Sequence, residues 1–191
     1  MTSRAHDVFA FASLVTIAAT YPPASLNVTT GISCLIGNII GSLLPDIDQA
    51  SNRLWDLLPG GNLVGKIFRK LFLGHRTISH SIIGIFLISK FLLWLLPKIL
   101  NPDFINTEIV YYSVMIGFIS HILIDSFTEE GIPLFFPIKL KIGFPPIASW
   151  RIKTGKWFEN LVVFPGIIVY ILWFVIQKQT ALAGILRLAL K

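Results

Sequence analysis

The sequence predicts an all-α integral membrane protein: a bundle of about five transmembrane helices with interfacial helices and a small surface β-hairpin. Three observations predict it. Hydrophobic residues fill 54% of the 191 positions and charged residues only 14%, against roughly 25% charged in a soluble domain. Several stretches reach or approach the ~20 apolar residues that a membrane-crossing helix needs. Lys and Arg gather in two loops, the asymmetry that orients membrane proteins. No polar stretch is long enough for a second core, so residues 1–191 read as one membrane-embedded domain.

The first apolar segment, Val8 to Thr20, is short and stops at Pro22-Pro23; it crosses, re-enters or tilts into the bundle. Asp7 cancels Arg4 and a second apolar run follows at once, which argues against a cleaved signal peptide. That second segment runs from about Ser25 to Leu44 and ends at Pro45, which cannot continue a helix. The third covers about Ser81 to Leu96, the fourth about Glu108 to Phe127 and the fifth about Leu161 to Gln177. Leu57 to Phe72, with Lys66, Arg69 and Lys70 among apolar residues, reads as an interfacial helix. The tail from Thr180 to Lys191 reads the same way, with a poor sixth span as the alternative. Between Gly131 and Gly155 four prolines break up the chain. There Leu134-Phe135-Phe136 and Ala148 to Ile152 are the expected hairpin strands.

Arg53, Lys66, Arg69, Lys70 and Arg76 lie in one loop, and Lys139, Lys141, Arg151, Lys153 and Lys156 in another. Five spans put both loops and Arg4 on the same side, which the positive-inside rule makes cytoplasmic. The expectation is a multi-pass protein of the inner (cytoplasmic) membrane with its N-terminus inside. Lys178, Arg187 and Lys191 then fall outside unless the tail folds back. The net charge of +6 is explained by basic loops facing anionic lipid headgroups, so nucleic acid is not expected as a partner. A single cysteine, Cys34, excludes an internal disulfide and a cysteine-based zinc site; it reads as a small packing residue.

Ionisable side chains beside or inside apolar segments persist mainly where they pair, bind an ion or face a polar cavity. Three clusters of this kind occur. His121 and Asp125 are four apart on a helix and share a face, a spacing that suits two ligands of Zn2+ or two partners in a hydrogen bond. Asp46 and Asp48 follow the break at Pro45; two residues apart in a turn, they face one ion or cap the helix end. His75 and His80 flank Arg76, and Ser79 or Ser81 caps the third span, leaving His80 at its positive end. Arg76 suits bidentate grip of phosphate oxygens. His6 and Glu159 are weaker candidates: one is a lone histidine near a terminus, the other an acid suited to opening a helix. With the predicted topology, His6, Asp46, Asp48, His75, His80, Asp125 and Glu159 all fall near the cytoplasmic face, with His121 one turn deeper. Asn38, with Gly37 and Gly41, reads as helix packing.

Leu44-Pro45-Asp46-Ile47-Asp48, His75-Arg76 with Ser79-His80-Ser81, His121 to Thr128 with Gly131 and Pro137, and Thr154-Gly155 with Glu159 form an ordered set. In these motifs the chain resembles a family of bacterial and archaeal inner-membrane proteins called membrane-bound metal-dependent hydrolases, some of them regulated by DNA damage. Thr77 departs from the Gly that often follows His-Arg there. The order Asp, His, then His-x3-Asp is also similar, in ligand pattern only, to zinc-dependent phospholipase C. These resemblances imply His6, Asp46, His75, His121 and Asp125 as metal ligands, completed or supported by Asp48, His80 and Glu159.

The leading expectation is a hydrolase holding one to three divalent ions, Zn2+ first, and cleaving a phosphoester or lipid-linked bond at the cytoplasmic membrane face. Ion-bound water ionises near pH 7 rather than 15.7. Asp48 or Asp125 would accept the proton, and Arg76 would offset developing negative charge. The expected partners are membrane lipids and a lipid or phosphoester substrate; the oligomeric state is left open. An ion or proton transporter is the alternative, but it would need ionisable groups along the whole membrane depth. The outer halves of the spans carry almost none beyond Lys90. A metal-stabilised protein without catalysis is the third reading.

Overall fold

A computed structural model describes residues 1–47, 78–138 and 140–190. The expected interfacial helix at Leu57 to Phe72 and the residues Asp48, His75 and Arg76 lie outside the described residues. Among those described there are six α-helices: α1 (Ser3–Thr20), α2 (Val28–Leu43), α3 (Ile82–Ile99), α4 (Thr107–Asp125), α5 (Phe164–Gln177) and α6 (Gln179–Ala189).

Local chemistry explains most of the boundaries. Asn27, Ser81 and Asn106 cap α2, α3 and α4, each side chain accepting from a backbone N–H of the first turn. At its far end α2 tightens into a single 3-10 turn, Leu44–Asp46, around Pro45. One π-helical turn, Glu159–Val163, leads into α5, with Pro165 in that helix's first turn. Proline is tolerated there because the first-turn N–H groups have no intrahelical partner.

Helix α4 is the centre of the bundle and α2 lies directly on it. Gly41 and Gly117 make this possible: a methyl group at Gly41 would overlap the carbonyl oxygen of Val114, and one at Gly117 would overlap that of Asn38. Hydrogen bonds lock the contact, with Asn38 Nδ2 donating to the Ser113 carbonyl at 3.2 Å and Ser113 Oγ to the Cys34 carbonyl at 2.6 Å. Small residues that bring backbones together, plus interhelical hydrogen bonds, replace the hydrophobic drive that is missing within lipid. Cys34 is buried against Leu92, Leu96, Val110, Val114 and Met115, as a packing residue should be.

Among the described residues four helical stretches, Val28–Asp46, Ile82–Ile99, Thr107–Asp125 and Glu159–Gln177, are long and apolar enough to cross a membrane. The sequence suggests about five; the difference is α1. It is 18 residues long, but its first turns carry Arg4, His6 and Asp7. It packs against α2, α4 and α5 and buries Ala5, Ala10, Ala12 and Ala19.

The expected hairpin is corrected as well. The described residues contain no strand, only two isolated bridges, Thr128 to Ile152 (parallel) and Ile132 to Ile142 (antiparallel). Leu134, Phe135 and Phe136 lie in turns, and Ala148–Trp150 is a 3-10 turn. Pro133, Pro137, Pro145 and Pro146 lack the N–H that a ladder requires. Arg151 organises the loop instead, donating from Nε to the Pro145 carbonyl at 2.6 Å and from Nη2 to that of Pro146 at 2.7 Å.

Candidate metal centre

Four separate pieces of chain deliver imidazoles and carboxylates to one buried spot. His121 and Asp125 come from the last two turns of α4, 1% and 0% exposed. His6 comes from the start of α1 and is 2% exposed. The turn at Pro45 brings Asp46 back over the end of α2. The turn Ile78–His80, just before α3, delivers His80, which is wholly buried.

Two overlapping groups of ligand atoms result, His6 with His121 and Asp125, and Asp46 with His80 and His121; within each group the atoms lie no more than 4.8 Å apart. His80 Nε2 is 3.8 Å from Asp46 Oδ1 and 3.7 Å from Asp125 Oδ2. His121 Nε2 is 3.7 Å from each of the same two oxygens. Ligands at about 2.0–2.2 Å from a shared Zn2+ lie about 3–4 Å from one another, so these spacings fit an ion between them. The other Asp125 oxygen, Oδ1, is 3.2 Å from His6 Nε2 and accepts a hydrogen bond from the Met1 amine at 2.6 Å. The His6 and His121 rings stack, with centroids 3.7 Å apart and planes at 9°.

The donor set fits a divalent cation. His121 Nδ1 lies 2.6 Å from the Ser42 carbonyl. A carbonyl can only accept, so Nδ1 carries the hydrogen and Nε2 presents its lone pair to the aspartates. An imidazole held by a backbone carbonyl in this way is the usual setting of a metal-bound histidine. His121 Nε2, Asp46 Oδ1 and His6 Nδ1 are buried and have no hydrogen-bond partner among the described residues. Buried polar atoms without partners are expensive, and coordination removes that cost.

Glu159, expected among the ligands, is in neither group. Its Oε1 accepts from the Thr2 N–H and hydroxyl, both at 2.6 Å, and its Oε2 from the Gly155 N–H at 2.7 Å. It ties the beginning of α1 to the beginning of the last span and so supports the placement of His6. Two contributors escape a reading of the sequence. Ser42 acts through its carbonyl, which any residue has, so no side-chain pattern could signal it. Asp7 accepts a hydrogen bond from Ser42 Oγ at 3.0 Å and holds α1 to α2 beside the centre.

Fold and site together define a multi-spanning helical membrane protein with a buried histidine–aspartate centre. The chain belongs to the YdjM inner membrane protein family, whose sequence model matches residues 1–187. It is similar to the uncharacterized protein YvsG of Bacillus subtilis (strain 168), at 29% identity over 65% of this chain and 67% of that one. It is also similar to the inner membrane protein YdjM of Escherichia coli (strain K12) and of Shigella flexneri, at 29% identity over 71% of this chain and 63% of theirs. The match thus spans about two thirds of the length of these relatives. No solved structure matches the chain.

Proposed function

We propose that this protein is a membrane-bound metal-dependent hydrolase, acting on a phosphoester or other lipid-linked bond at the cytoplasmic face of the inner membrane. The observation that carries the reading is the convergence of His80 and His121 on the same oxygens of Asp46 and Asp125, all within 3.7–3.8 Å. In this reading Asp46, His80, His121 and Asp125 hold an ion, with Zn2+ preferred because imidazole and carboxylate suit it. His6 holds a further ion with Asp125 or completes the first. His75 and Asp48 add ligands from the neighbouring segment.

A divalent ion would supply a water that ionises near neutral pH and would offset negative charge on the substrate. The protein's own groups do the rest. Ser42 fixes the His121 tautomer, Asp48 or Asp125 takes up the proton, and Arg76 grips the oxygens of a phosphoryl group. The basic residues Arg76, Lys141, Lys153 and Lys156 in the two loops support a cytoplasmic orientation for this end of the bundle, by the positive-inside rule.

Metal analysis of the full chain purified in detergent tests the reading, alongside hydrolysis of bis(p-nitrophenyl) phosphate and of phospholipid vesicles. Wild type is expected to hold stoichiometric zinc and to turn over one of these probes. His121→Ala and Asp125→Asn should lose both metal and turnover. A well-folded wild type without stoichiometric metal would overturn the proposal.

A further inference from the structure

A groove of about 530 Å³ runs between α1 and the start of the last span, within the range of about 300–1,000 Å³ usual for small-molecule sites. Phe9, Ser13 and Thr16 line one wall, and Val163, Gly166 and Tyr170 line the other. Its inner end, at Phe9, lies about one turn along α1 from His6. Phe9 and Val163 pack on the buried cluster of Ala5 and Ile124, the chain neighbours of His6 and Asp125. From there it follows both helices for about 10 Å, seven residues at about 1.5 Å each.

The side-chain hydroxyls of the lining offer a ligand no unspent donor. Ser13 Oγ donates to the Phe9 carbonyl at 2.8 Å and Thr16 Oγ1 to the Ala12 carbonyl at 2.7 Å. Since the Thr16 hydrogen is committed to Ala12, the Tyr170 hydroxyl 2.9 Å away donates to Thr16 and bridges the far end of the groove. A wall whose hydroxyls are all satisfied internally suits hydrocarbon. One wall belongs to a membrane-length segment, Glu159–Gln177, whose outer face exposes Val169, Leu172 and Ile176. Hydrocarbon at that depth is bilayer lipid.

We propose that the groove holds one acyl chain of a membrane lipid whose polar head reaches the His6/Asp125 end of the centre. The inference rests on the hydrolase reading and narrows its substrate class to a lipid, rather than a water-soluble phosphoester. Gly166 supplies the test: it lines the groove, and a Cβ placed there meets nothing within 4 Å. A bulky residue there would start into open space and extend into the groove.

The full chain is placed in nanodiscs that contain a phosphatidylglycerol probe with a mid-chain diazirine. After illumination, peptides from α1 and from residues 162–170 should carry severalfold more label than the lipid-facing surface of α3 around Phe86 and Leu87. Gly166→Trp should remove that excess and leave metal content unchanged. Label spread evenly around the bundle, or an excess that survives in Gly166→Trp, would overturn the proposal. So would a disulfide between two copies of Ile17→Cys in a protein without groove label, which would assign the groove to a second copy. The two readouts separate the two readings: groove label without metal sinks the hydrolase, and metal without groove label sinks the lipid chain.

Discussion

The Nδ1–H of His121 donates to the carbonyl oxygen of Ser42 across 2.6 Å, joining the end of α4 to the last turn of α2. The last carbonyls of a helix lack intrahelical partners, so α2 presents an acceptor where α4 has a ring to orient. Nitrogen-15 spectra of histidine-labelled protein should therefore show His121 with its hydrogen on Nδ1, with or without added metal. A resonance characteristic of Nε2–H would contradict this arrangement.

The histidines are unequal. His80 Nε2 approaches both aspartates, at 3.7 and 3.8 Å, whereas among the described residues His6 Nε2 approaches Asp125 alone, at 3.2 Å. Zinc competition against a chromophoric chelator should show a larger loss of affinity for His80→Ala than for His6→Ala. The His80→Ala loss should exceed the roughly 10–100-fold typical of groups that only support a ligand. Equal losses would mean that both rings bind one ion equivalently.

Glu159→Gln separates a supporting role from a ligating one. The amide keeps one acceptor for Thr2 but brings an N–H2 against the Gly155 N–H, so a donor meets a donor. Loss of a hydrogen bond to a buried charged group costs about 1.5–3 kcal/mol. The thermal midpoint in detergent should fall while metal stoichiometry holds. Loss of the metal in Glu159→Gln would make Glu159 a ligand.

The α2–α4 contact predicts a steep difference among glycines. Gly41→Ala and Gly117→Ala each force a methyl group into a facing backbone carbonyl, whereas Gly31→Ala meets nothing within 4 Å. Overpacking of this kind costs about 1–3 kcal/mol or more. The first two variants should lose thermal stability and metal together, because the same contact sets the distance between Ser42 and His121. Gly31→Ala should behave as wild type.

Metal removal should also be visible in stability. A ligand present at about 100 times its dissociation constant stabilises the folded state by about 2.7 kcal/mol. Treatment with a chelator should lower the thermal midpoint, and zinc should restore it in wild type but not in Asp125→Asn.

Much of this protein is legible in its sequence because the information is local. Apolar runs, one ended by Pro45 and another opened by Ser81, mark α2, α3 and α4 to within a few residues. His121 and Asp125 show themselves as a pair through the helix period alone. Asp46 is marked by the proline before it, and His80 by the serine that follows. The hairpin fails for an equally local reason: alternation in a short apolar stretch cannot make a ladder where four prolines remove donors.

In the residues themselves His6 is a weak candidate, raised only by resemblance, and the tertiary structure is what brings it to the centre. Nothing in its own neighbourhood distinguishes it, and it gains significance when α1 lies against α4 and stacks its ring 3.7 Å from that of His121. The same is true of Ser42 and of the oxygens of Asp46 and Asp125, which come from segments far apart in the chain. Period and capping act within one helix. The distance between helices is set by whether Gly41 and Gly117 let two backbones touch, and a centre built across that contact exists only once they do.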